Sequence, residues 1–119
     1  MSVDDLIGAF GEMSTFCGND EYMELVRNND ILNQILQTNI LNNDFFEYIC
    51  FKFNYYREKI NFDYSIYSFP EYREEIEAIK MILDEFLESK DIKNKLFLAK
   101  EFHNRVINTV NAIDAFYLE

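Results

Sequence analysis

The stretch DFFEYICFKFNYYREKINFDYSIYSFPEY, Asp44 to Tyr72, holds twelve of the chain's twenty Phe and Tyr residues. Whether those rings make a core or a surface decides the fold. Up to Lys59 the pattern is helical, with Phe46, Ile49, Cys50, Phe53 and Ile60 on one face and Phe45, Tyr48, Tyr55 and Tyr56 on its flanks. Only Glu47, Asn54 and Glu58 keep a polar stripe, and Phe51 lies in the middle of it. A helix apolar nearly all round belongs at the centre of a bundle, so this one is expected to be a core helix, with Phe51 the ring exposed if it reaches the surface. From Asn61 to Phe69 the pattern changes. Phe62, Tyr64 and Ile66 alternate with polar residues, which predicts a short extended or irregular segment carrying Tyr64 and Tyr67.

Downstream, Ser68-Phe69-Pro70-Glu71 predicts a helix start, with a serine cap, a first-turn proline and a glutamate that closes a capping box. The helix it opens carries Ile76, Ile79, Leu83 and Phe86 on one side, flanked by Ile82 and Leu87. The opposite side holds Glu74, Glu77, Asp84 and Glu88, widened by Glu71, Glu75 and Glu85. Acids in the first turn favour the positive end of the helix dipole, whereas Asp84, Glu85 and Glu88 near the other end do not. After Ser89-Lys90-Asp91 a last helix is predicted from Ile92 toward Tyr117, with Leu96, Ala99, His103, Val106, Val110, Ile113 and Tyr117 in unbroken 3-4 spacing.

Upstream, Ser2 and Asp5 form a capping signal ahead of Val3, Leu6, Ile7, Phe10, Met13 and Cys17 at helical spacing, and Gly18 is expected to stop that helix. Asn-Asn-Asp occurs twice, at 28–30 and 42–44. Each copy is read as a helix start, because Asn and Asp accept from the orphan amides of a first turn. The two copies thus open helices from Ile31 to about Gln37 and from Phe45 to about Lys59, while Asn19 or Asp20 is expected to cap a short earlier helix around Tyr22, Met23, Leu25 and Val26 that ends at Arg27 and Asn28. The expected fold is therefore all-α: a single domain, 1–119, bundled from about six helices around the Phe45 and Ile92 helices, with one irregular segment near 61–69.

The 119 residues suit one domain, and 49% apolar, 28% charged, three glycines and one proline describe a globular, helical chain. Its net charge is −11. The excess sits in two blocks, with seven acids against one base in residues 1–30 and eight against three in 61–90. Such a charge repels nucleic-acid phosphate and anionic lipid and attracts a basic protein. The opening MSVDDLIGAFGEMS has no basic region ahead of its apolar residues and is not expected to act as a secretory signal. No apolar run reaches the length of a membrane span. Cys17 and Cys50 lack metal-ligand spacing and are expected to be reduced and packed in a cytoplasmic protein.

Chemistry-bearing patterns are sparse. His103 is the single histidine and lies on an apolar seam, which predicts a packed imidazole without a nucleophile or metal partners. Glu101 and His103 fall on different helix faces, unlike the Glu-x-x-His of carboxylate-bridged metal sites. There is no phosphate-binding glycine loop and no calcium loop. No enzyme activity, metal or cofactor is expected. FKFNYYREK interleaves rings with Lys52, Arg57 and Lys59 as single-strand binders do, but without the basic groove they need.

The profile of a small, acidic, helical chain without catalytic apparatus resembles in type that of toxin-neutralising immunity proteins and phage-encoded inhibitors. That likeness implies an inhibitory binding protein occluding a basic partner, such as a nuclease-type bacterial toxin. The candidate partner-binding residues are Tyr64, Tyr67, Glu74, Glu77, Asp84 and Glu88, with acids steering association and tyrosines supplying buried contact. The alternatives are a phage-type nucleic-acid mimic or anti-defence inhibitor, and an oligomeric adaptor using the Ile92–Tyr117 seam.

Overall fold

The computed structural model describes residues 18–118, with side-chain surroundings for residues 22–112. The helix expected from Val3 to Cys17 and its Ser2 cap lie outside the described residues, whereas Gly18, expected as its stop, and Asn19 and Asp20, expected as caps of the next helix, are themselves helical. Within them are five α-helices: α1 Gly18–Thr38, α2 Asn43–Lys59, α3 Phe62–Ser68, α4 Arg73–Glu88 and α5 Ile92–Leu118. A 3-10 turn, Pro70–Tyr72, joins α3 to α4, and the described residues contain no strand. The fold is all-α, as the composition predicts.

α1 is one helix where two were expected. The apolar frame Leu25, Leu32, Ile35 runs through Asn28, which is itself buried. The first Asn-Asn-Asp is therefore in helical register with the core rather than a cap. Asn29 reaches across to α5, donating through Nδ2 to Asn104 Oδ1 at 2.8 Å. The second copy does cap a helix: Asn42 Oδ1 accepts from the Phe45 amide at 3.1 Å. What separates the copies is Asn39, which ends α1 in the left-handed region with φ 58° while its amide donates to the Ile35 carbonyl at 2.8 Å. Asparagine tolerates that conformation better than most residues.

The irregular segment expected near 61–69 is instead helix α3. Asn61 caps it, accepting from the Tyr64 amide at 2.9 Å, and Phe62, Ser65 and Phe69 are buried. Three alternating residues fit a strand, but 62, 65, 66 and 69 fit a helix equally, and burial of Phe62 and Phe69 decides between them. The start of α4 shifts accordingly. Ser68 is the last residue of α3 and not a cap; Phe69 takes the cap position without a side-chain hydrogen bond, and Pro70 opens the 3-10 turn.

The core runs along α4 and α5. α4 buries Ile76, Ile79, Ile82, Leu83 and Phe86, and α5 buries Leu96, Leu98, Ala99, Phe102, Val106 and Val110. α2 adds Phe53, whose ring lies 4.0 Å from Phe86 and 4.8 Å from Phe102, centroid to centroid. α2 is nonetheless not the central helix. It buries only Ile49, Phe53 and Tyr56, and Phe51 is 65% exposed on its polar stripe. Two partly exposed ion pairs clasp the bundle: Arg57 Nε to Asp84 at 2.8 Å, and Arg105 to Glu75 at 3.0 Å. Lys95 of α5 donates to the Phe86 carbonyl at 2.6 Å, placing a cation at the negative end of α4.

Candidate binding face and a buried histidine

α4 separates two chemistries by half a turn. Opposite its core residues lie Glu74, Glu77, Met81, Glu85 and Glu88, all exposed. Met81, 63% exposed, stands between Glu77 and Glu85 on that face. Glu77 has a loose i,i+4 pair with Arg73 at 3.5 Å. Glu74, Glu85 and Glu88 have no ion-pair partner among the described residues. Asp84 departs from the expected stripe: it turns toward α2 and is held by Arg57, so its charge is already met within the chain.

Tyr64 and Tyr67 stand three residues apart on α3 and are both exposed, Tyr67 at 85%. Tyr67 meets Glu77 at a hollow of about 430 Å³ that Asp63, Ile66 and Arg73 also line. A neighbouring hollow of the same size includes Glu74 together with Pro70 and Tyr72. Of the six residues picked from sequence, Tyr67, Glu74 and Glu77 thus gather where α3 meets α4. Glu88 lies at the far end of α4, and Asp84 is spoken for. Met81 was missed, although its place between Glu77 and Asp84 in 4-3 spacing puts it on the acidic face.

Two of the three bases of FKFNYYREK, Lys52 and Arg57, are engaged inside the chain. Lys52 contacts Glu24 at 3.6 Å and lies 5.3 and 5.2 Å from the ring centres of Tyr55 and Tyr56. Tyr48 donates its hydroxyl to the same Glu24. Arg57 belongs to Asp84.

His103 sits where α2 meets α5, 1% exposed, with its ring centre 5.9 Å from that of Phe53. Its Nδ1 lies 2.7 Å from the Ala99 carbonyl, which can only accept, so Nδ1 carries the proton. Nε2 is then an acceptor, buried and without a hydrogen-bond partner among the described residues. Burial lowers the imidazole pKa to about 4; the Ala99 carbonyl and Glu24 oppose that shift and Lys52 adds to it. Cys50 is a free thiol, half-buried, and burial raises its pKa. No cluster of three or more His, Cys, Asp or Glu suited to a metal occurs among the described residues. None of the described helices is long and apolar enough to cross a membrane. Comparison with protein-family models, with curated proteins and with solved structures found no match.

Proposed function

We propose that this protein is an inhibitory binding protein that occludes a basic protein partner, in the manner of an immunity protein against a nuclease-type toxin in the cytoplasm. The observation that carries this is the solvent face of α4: four exposed glutamates around one exposed methionine. Acids at the C-terminal end of a helix oppose its dipole, so Glu85 and Glu88 work against the element that bears them. Their placement makes sense as a field directed outward. Such a field steers a basic partner, while an apolar side chain within it gives the docked partner something to desolvate. Met81 has that position, and its flexible thioether adapts to irregular surfaces.

The adaptor alternative relied on the seam of α5. Among the described residues Leu96, Ala99, Val106 and Val110 of that seam are buried, which gives the adaptor reading less support than the binding one.

The test is affinity capture from native lysate followed by binding kinetics. A basic protein should co-purify. Glu85→Lys with Glu88→Lys should slow association and flatten its salt dependence, and Met81→Ala should speed dissociation about tenfold, as truncating a central contact does. Unchanged on-rate and salt slope would reduce the acids of α4 to a solvated surface.

A further inference from the structure

Building on the proposed basic partner, we propose that the hollow between α3 and the first turns of α4 receives an arginine side chain of that partner. The hollow is lined by Asp63, Ile66, Tyr67, Arg73 and Glu77. A guanidinium differs from an ammonium in being planar, stacking on rings and presenting several donors in a fixed fork. Each of those properties has its counterpart here. Tyr67 presents an almost fully exposed ring for stacking. Asp63 and Glu77 bring carboxylate acceptors, and Ile66 gives the methylene stem an apolar wall.

Two carboxylates alone would be a solvated acidic patch. What sets this hollow apart is that a guanidinium already lies in its wall. Arg73 Nε stands 3.5 Å from Glu77 Oε1, with both side chains more than half exposed. That contact is long, solvated and within one helical turn, the kind of pair that contributes little. Asp63 has no ion-pair partner among the described residues. Arg73 therefore marks the chemistry of the hollow while holding only one of its carboxylates, and an incoming arginine displaces it easily.

Amide chemical shifts of the full chain, titrated with acetyl-Gly-Arg-Gly-amide and with its lysine and citrulline counterparts, test this. The arginine peptide should shift residues 62–77 in a saturable way, the lysine peptide less, and the neutral citrulline peptide hardly at all. Tyr67→Ala and Asp63→Asn should each weaken binding severalfold. Arg73→Ala should strengthen it about two- to fivefold by removing a competing cation. All three positions are exposed, so the fold is left intact. Equal shifts around Glu85 and Glu88, or arginine binding unaltered by Tyr67→Ala, would overturn the proposal. The two ideas fail separately. A captured partner whose binding falls with Glu85→Lys and Glu88→Lys but not with Tyr67→Ala removes the arginine site and keeps the basic partner. Arginine-peptide binding by a chain that captures no basic protein does the reverse.

Discussion

α5 packs against its neighbours through two unlike seams. Toward α4 the contact is apolar, filled by residues such as Ile79, Leu83 and Phe86 and clasped at its edge by Arg105 and Glu75. Toward α1 it holds Asn29 and Asn104, with Asn28 buried on α1 and His103 buried nearby against Phe53. The apolar seam stabilises by burial, which depends little on pH. The polar seam fixes how α1 sits, because an amide pair matches only one register, and the buried His103 where α2 meets α5 adds a dependence on protonation. The largest test of that contrast is Phe86→Ala. Losing the ring tilted against Phe53, its centroid 4.0 Å away, should cost about 3–5 kcal/mol, a large share of the stability of a small domain, measured by urea unfolding.

Protonation supplies the next test. His103 has a folded pKa of about 4 against an ordinary value of 6.5. The unfolded chain therefore binds more protons between those values, and stability rises with pH across that window. It is complete above about pH 6.5 and lost as pH falls toward 4, by about 3 kcal/mol in all. Glu24 and Lys52 face the imidazole with opposite effects, so the neutral form rests mainly on burial. His103→Phe should abolish this part of the pH dependence, read as the difference between variant and wild-type unfolding at pH 7 and pH 4.5. Equal slopes for the two proteins would mean that the histidine is hydrated in solution.

The apolar seam was legible in the sequence and the polar one was not. Leu96, Ala99, Val106 and Val110 recur at helical spacing, and so do Ile76, Ile79, Leu83 and Phe86, so both helices and their facing sides can be read directly. Asn28 and Asn29 carry the same residue types as Asn42 and Asn43. Only the partner across space, Asn104, tells glue from cap. α3 was hidden for a related reason: seven residues are too few for periodicity to separate helix from strand, and the deciding fact is burial of Phe62 and Phe69. At the candidate site the acids were legible as a helix face. That Asp84 belongs to Arg57 depends on how α2 crosses α4, which no local pattern records.

The amide pair gives a smaller effect with a distinctive signature. Asn29→Leu leaves the Asn104 carbonyl without its donor and should cost about 1 kcal/mol. Asn104→Leu should do likewise. The double variant should recover most of the loss, because two apolar groups in contact leave nothing unpaired. Hydrogen exchange would then show α1 better protected in the double variant than in either single one. Additive losses would instead place the stability of the α1 seam in its leucines alone.

The smallest effect is the one that ties stability to the proposed function. α4 gives its inner side to the apolar seam and carries uncompensated acids on its outer side, including Glu85 and Glu88 in its last turn. The chain meets the negative end of this helix with Lys95, which reaches the Phe86 carbonyl and lies 4.3 Å from the centre of the Phe86 ring. Removing the two negative charges by Glu85→Gln and Glu88→Gln should therefore stabilise the fold, by about 0.3–1 kcal/mol for each. The same changes should slow association with a basic partner, with the loss greatest at low salt. Opposite signs for stability and association rate are what a surface kept for binding requires. If both substitutions left stability unchanged, Lys95 and solvent would already neutralise the helix end, and the acids would carry no cost for function to explain.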